Sequence, residues 1–128
     1  MLGLYVSYNE EKHGSIDEPL RISNSGYLIF QSRKSCKKEL NFPTKILLRI
    51  SKKGDFYLGE LHDVKDYIEC DPKIFEDTRH RPMRWIEMDK NHEWRGKSVF
   101  FISNLTSIEE PLDLQGKHPP ETFYYRDF

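Results

Sequence analysis

Apolar and polar positions alternate over Leu2–Tyr8 (LGLYVSY), and this period of two predicts a strand. Asn9–Pro19 is polar, carries Gly14 and Pro19, and reads as a loop. Tyr27–Gln31 (YLIFQ) is a short apolar run behind the turn signal Asn24-Ser25-Gly26. Ser32–Leu40 (SRKSCKKEL) reads as a helix, capped by Ser32 or Ser35 and ended by Asn41-Phe42-Pro43. Lys45–Ser51 (KILLRIS) and Phe56–Val64 (FYLGELHDV) flank Lys52-Lys53-Gly54-Asp55 and predict a hairpin. Gly59 interrupts its second strand, the mark of a bulge or of a close approach by another backbone.

Tyr67–Pro82 is a polar loop with a helical turn at Pro72–Asp77, where proline suits the first position. Met83–Met88 (MRWIEM) alternates again and predicts a strand, with Met83, Trp85 and Glu87 on one face and Arg84, Ile86 and Met88 on the other. Asp89–Gly96 is a turn region, Lys97–Ser103 (KSVFFIS) a strand, and Leu105–Glu110 a single helical turn stopped by Pro111. Gln115–Pro120 is a loop, and Thr122–Tyr125 is a last strand. The sum is a single mainly β (α+β) domain over residues 1–128, with six or seven short strands and one or two short helices. A small barrel of about six strands suits that count, because closure removes exposed edges.

Composition shifts this picture toward aromatics. Only 37% of the 128 residues are hydrophobic, but they include eight Phe, seven Tyr and two Trp, so the core leans on large rings. No apolar run nears the ~20 residues that cross a bilayer. The N-terminus lacks the basic and apolar regions of a secretory signal. Cys36 and Cys70 lie far apart, in no CxxC pair, and are expected as free thiols in a reducing compartment. A cytoplasmic protein with no membrane association is the expectation.

The net charge of −1 argues against coating nucleic acid through bulk charge. It hides an uneven distribution. Arg33–Lys53 holds eight basic residues and one acid, whereas Glu60–Asp77 holds seven acids and two lysines. Ordinary solvated surface and a pair of binding patches account for these runs equally well.

The five histidines (His13, His62, His80, His92, His118) show no HxxxH, HExxH or His/Cys metal spacing, and GxSxG, Walker and GxGxxG motifs are absent. No metal and no cofactor is expected, and nothing in the chain calls for an enzyme. What stands out is Arg79–Lys97 (RHRPMRWIEMDKNHEWRGK), which interleaves Trp85 and Trp94 with Arg79, Arg81, Arg84, Lys90, Arg95 and Lys97. An exposed ring offers a π-face for an unstacked base, worth ~1–3 kcal/mol per base, and the cations meet flanking phosphates. Trp85, in an alternating strand, is equally a core residue. Trp94, between Glu93 and Arg95 in a polar turn, is the better contact residue.

From Ile46 to Arg126 the chain resembles the PUA-like superfamily, in its EVE and YTH branches. ILLRISKKGDFYLGELHDVKDY resembles the YTH segment in which a strand ending in Ser leads through a Gly turn to an aromatic-x-Gly strand. EWRGKSVFFISNLTSIEEPLDLQGKHPP resembles the later segment with Trp-x-Gly followed by an alternating strand, and DYIECDPKIF resembles an acidic aromatic loop of EVE domains.

The resemblance implies a module that accommodates a flipped base in an aromatic pocket. In the YTH branch that base is N6-methyladenine. In the EVE branch it is a modified base of DNA or RNA, in some cases within modification-dependent restriction systems. Trp94 then matches the cage tryptophan of Trp-x-Gly, Trp85 is a candidate for the upstream one, and Ser51 and Gly59 match strand positions near the pocket. The N-terminal third has no Trp, so Tyr27, Phe30 or Tyr8 supplies a further wall, or the cage is incomplete.

The base-binding set is accordingly Trp94, Trp85, Ser51, Tyr27 and Phe30. Arg33, Lys34, Lys37, Lys38, Lys52, Lys53, Arg81, Arg84, Arg95 and Lys97 are expected on the phosphate backbone of a DNA or RNA partner. A recognition domain of a larger multidomain protein or complex would look like this. The main alternative is a protein-interaction domain, adaptor or inhibitor, without nucleic-acid binding. A small-molecule enzyme on the related ASCH-type barrel is a third.

Overall fold

Along the first strand, β1 (Leu2–Tyr8), alternation becomes a division of faces. Leu4, Val6 and Tyr8 enter one large apolar cluster, while Tyr5 enters a smaller one on the opposite side. The computed structural model describes residues 1–92 and 96–128. After β1 come α1 (Glu10–His13), α2 (Asp17–Ser25), β2 (Leu28–Ser32), β3 (Thr44–Ile50) and β4 (Phe56–Asp66). Two 3₁₀ turns (Tyr67–Glu69, Pro72–Glu76), α3 (Met83–His92), β5 (Ser98–Ile108), a third 3₁₀ turn (Leu112–Leu114) and β6 (Phe123–Asp127) complete the order.

The strands form one mixed sheet in the order β2-β5-β4-β3-β1-β6, with β1 and β3 parallel and every other neighbouring pair antiparallel. The mainly β expectation holds. Closure does not: β2 and β6 are the two ends of the ladder. The sheet is nevertheless strongly curled, because the Phe100 ring of β5 meets the Phe123 ring of β6 at 5.6 Å although three strands separate them. The principal core fills the concave side, with residues of all six strands, α2 and α3. Two smaller clusters cover the convex side. One gathers Tyr5, Leu47 and Phe56 around Leu114 of the third 3₁₀ turn, and the other gathers Ile29 and Val99 around Phe75.

The hairpin β3–β4 is present, and its turn places Lys52 and Gly54 at positive φ (72° each). The irregularity expected at Gly59 is real. Leu58 faces Thr106 but Glu60 faces Ser103, so β5 carries the extra residue, with Asn104 at φ 54°. A Cβ on Gly59 would sit 2.8 Å from Leu105 Cδ2 and 3.1 Å from Ser103 O, which leaves room only for glycine.

Four local expectations are corrected. Met83–Met88 is helical, not a strand: Trp85 and Ile86 are buried, Met88 and Asp89 half-buried, and Arg84 and Glu87 exposed, a period near 3.6. Ile86 is the one β-branched residue there, and Met, Arg, Glu and Lys favour a helix. Ser32–Leu40 is not a helix. Arg33/Lys37 and Lys34/Lys38 would repel at i,i+4, and the backbone amides are drawn elsewhere: Cys36 N to Ser98 Oγ (2.9 Å), Lys37 N and Lys38 N to Tyr125 Oη (2.8 and 3.1 Å). Leu105–Glu110 does not form a helical turn, because β5 runs on to Ile108, paired with Phe56. The Asn9–Pro19 loop contains α1 and the start of α2, whose Pro19 lies in the first turn, where proline is tolerated.

Candidate functional site

Because the two terminal strands of the ladder do not pair, a seam remains between them. The β1–β6 ladder stops at Val6 and Phe123, so Ser7 and Tyr8 continue past the end of β6. The chain after β2 straps across the seam: Lys34 Nζ donates to Phe123 O (2.9 Å), and Tyr125 Oη holds two amides of the strap. At this seam, beneath α3, lies a cavity of about 880 Å³. Phe30, Trp85, Gln31, Arg33, Arg81 and Asp89 line it, with Val6, Ser7, Lys12 and His13 contributed by β1 and α1.

The rings make a corner. Phe30 and Trp85 stand at 72° with centroids 5.7 Å apart, and Tyr8 packs behind both at 6.3 and 6.1 Å. The indole Nε1 donates to His13 O (2.9 Å) and the Tyr8 hydroxyl to Gly14 O (3.0 Å), so the polar tips of both rings are bound to the end of α1. Burial, then the Glu10 carboxylate, raises the Tyr8 hydroxyl above the ordinary phenol range. Burial, reinforced by Lys12 and Arg84, pushes the His13 imidazole down to about 4, which leaves a neutral ring in the cavity wall at neutral pH.

The polar wall is built on Arg81, which is only 2% exposed. It donates to Phe75 O (2.6 Å) and Gln31 Oε1 (3.2 Å) and forms an ion pair with Asp89. Burial draws its pKa below the ordinary guanidinium range, and Asp89 opposes that shift. Among the described residues, Gln31 Nε2 and Arg81 Nε are the buried side-chain nitrogens or oxygens without a hydrogen-bond partner.

The sequence-derived set divides against this geometry. Trp94 and Arg95 lie outside the described residues. Phe30 lines the cavity, as does Trp85, which is also core at 6% exposure. Ser51 stands one residue behind the wall, its Oγ 2.8 Å from that of Ser7. Tyr27 does not belong to the site: it is 46% exposed, and its ring packs on His62 at 4.9 Å.

The expected basic patch is divided. Lys52 and Lys53 pair with Glu11 (2.8 Å) and Glu10 (2.7 Å) at the hairpin tip, and Arg49 binds Lys117 O (2.8 Å). Arg81 is no phosphate contact, because it is interior and already bonded. Lys34 is engaged across the seam, over the Phe123 ring at 4.6 Å. Arg33, Lys37, Lys38, Arg84 and Lys97 are exposed, and of these Arg33 is at the cavity.

His13, Gln31 and Asp89 were not legible as site residues. Gln31 follows an apolar run, and Asp89 sat in an expected turn. Elsewhere, His62 Nε2 lies 2.6 Å from Ser103 Oγ and 3.6 Å from Glu60 Oε2. Serine and carboxylate thus meet the same ring nitrogen, whereas a proton relay to serine needs them on opposite ones. No helix among the described residues is long and apolar enough to cross a membrane.

No protein-family model, curated protein or solved structure matches this chain.

Proposed function

We propose that the protein binds nucleic acid by taking one unstacked base into the cavity at the seam, and that it does so without catalysing a reaction. The observation that carries the reading is a seam cavity of about 880 Å³ that presents the Phe30–Trp85 corner beside exposed Arg33. A planar heteroaromatic suits that corner, because its face packs on apolar rings while flanking phosphates meet the cation. About 880 Å³ admits a nucleotide-sized group.

Exposed Arg33, Lys37, Lys38 and Lys97, on the strap and at the start of β5, are the cations that would meet the flanking phosphates. On this reading the curled sheet is a PUA-like barrel left open at its binding seam, and the base is a modified one in DNA or RNA, N6-methyladenine in the YTH-like version. Removing a base from its stack costs about a few kcal/mol, least in single strands.

The test is fluorescence anisotropy with labelled single- and double-stranded oligonucleotides, methylated and unmodified, at two salt concentrations. Wild type is expected to prefer single strands, and Phe30→Ala to bind at least tenfold more weakly, about 1.4 kcal/mol. If no oligonucleotide is retained even at low salt, or if Phe30→Ala binds like wild type, base binding in this cavity is wrong and the protein-interaction reading takes its place.

A further inference from the structure

Helix α1 has four residues, too few to keep its shape by its own hydrogen bonds. Its last carbonyls meet no amide further along the helix, so they accept from elsewhere. His13 O takes the Trp85 indole N–H at 2.9 Å, and Gly14 O takes the Tyr8 hydroxyl at 3.0 Å. Lys12 O takes Arg84 Nη2 at 3.3 Å, so α3 docks on this turn through two successive carbonyls. Two side chains hold the turn itself. At its start, Asn9 Oδ1 accepts from Glu11 N (3.0 Å) and Lys12 N (3.3 Å). Beyond its end, Glu10 Oε2 accepts from Ile16 N at 2.9 Å. This second bond closes a ring of side chain and backbone over residues 10–16, and His13 and Gly14 lie within it. Ile16 belongs to the principal core, which anchors the ring. Glu10 Oε1 also pairs with Lys53 Nζ at 2.7 Å, but the Lys53 side chain is 65% exposed against 17% for Glu10. Solvent screens that pair more than it screens the bond to the amide.

We propose that Glu10 is a positioning residue: its bond to the Ile16 amide holds the His13 and Gly14 carbonyls against Trp85 and Tyr8, and so sets the aromatic corner that takes the base. Glu10 is not one of the residues that line the cavity, so it acts through others. The inference rests on the base-binding reading and deepens it by naming what keeps the site in shape. An indole N–H that loses its acceptor is an unpaired donor and turns to find water. Phe30 meets Trp85 edge-on at 72°, a contact that a turned indole does not keep. The corner thus depends on the His13 carbonyl, that carbonyl on the ring over residues 10–16, and the ring on one carboxylate oxygen.

The experiment uses the full chain as wild type, Glu10→Ala, Glu10→Asp, Glu10→Gln and Lys53→Ala. One readout is the indole N–H resonance of Trp85 without ligand, assigned by its loss in Trp85→Phe. The other is anisotropy with labelled single-stranded oligonucleotides, and thermal melting checks that each variant folds. Glu10→Ala is expected to shift the indole resonance, speed its exchange with solvent and weaken oligonucleotide binding about tenfold. Glu10→Asp keeps the charge but shortens the reach to Ile16 N, and is expected to do the same. Glu10→Gln keeps an oxygen for that amide and is expected to restore both readouts, and Lys53→Ala to leave both unchanged. An unmoved indole in Glu10→Ala and Glu10→Asp overturns the proposal. So does an indole that moves while affinity holds, or a Glu10→Gln protein that loses as much as the other two. If wild type binds no oligonucleotide, the base-binding reading falls, and the indole resonance alone then tells whether Glu10 positions Trp85.

Discussion

The cavity wall and the cluster beneath the second 3₁₀ turn are made of the same materials and behave differently. On the convex side Tyr67 stacks on Phe75 at 4.9 Å, with Arg81 over the Phe75 ring at 5.6 Å. On the concave side Phe30 and Trp85 meet at a right-angled corner, and the same Arg81 reaches Gln31 and Asp89. Both regions are aromatics interleaved with a cation, the pattern that draws attention in the sequence. On the convex side the guanidinium caps Phe75 O. The concave region keeps open volume. What separates the two regions here is open space beside the rings, not residue type.

Substitutions can break or sharpen this contrast. The largest effect is expected from Asp89→Ala, which leaves Arg81 buried without its carboxylate and lowers stability by about 3 kcal/mol in urea titration. A loss under 1 kcal/mol would mean that Arg81 does not depend on Asp89. Phe75→Ala should cost about 3 kcal/mol through its cavity yet leave oligonucleotide affinity unchanged in the folded fraction. Phe30→Ala should cost less stability, about 2 kcal/mol, and take the affinity with it. Parallel loss of affinity in both variants would erase the distinction between the two faces.

A smaller effect comes from His13. Its imidazole titrates near 4 in the fold against an ordinary 6.5, so between those values the unfolded chain binds more protons. Stability from this group is fully present above 6.5 and declines as pH falls toward 4. Solvent screening of the partly exposed ring holds the change to about 1 kcal/mol. Melting curves of His13→Gln across that range should show a correspondingly shallower decline; an identical slope would show that His13 is not the source. Smallest is Lys53→Ala, which removes an exposed, solvent-screened pair with Glu10 and should leave the thermal melting curve superimposable on that of wild type; a clear drop in the melting temperature would show that the pair matters.

The strands were legible because their signal is local. β1, β3 and β4 follow alternation and a Lys-Gly turn, and even the bulge at Gly59 announced itself through a glycine in mid-strand. Helix α3 is not legible because six residues of MRWIEM satisfy both periods, and the burial of Trp85 and Ile86 together, which decides for the helix, is a tertiary fact. The strap after β2 is not legible because its amides are claimed by Ser98 and Tyr125, more than sixty residues away. The same limit applies to the site. Phe30 and Trp85 could be proposed as aromatics, but Arg81 reads as a surface cation until its burial and its three partners are seen. Lys52 and Lys53 read as phosphate contacts until α1 brings Glu10 and Glu11 against them.

Since β2 and β6 share no ladder, one side of the cavity is joined by side chains alone: an ammonium on a carbonyl and a phenol on two amides. Such a clasp can loosen without rupturing a single strand pair. The amides of Lys37 and Lys38 are where isotope exchange would register the clasp coming undone.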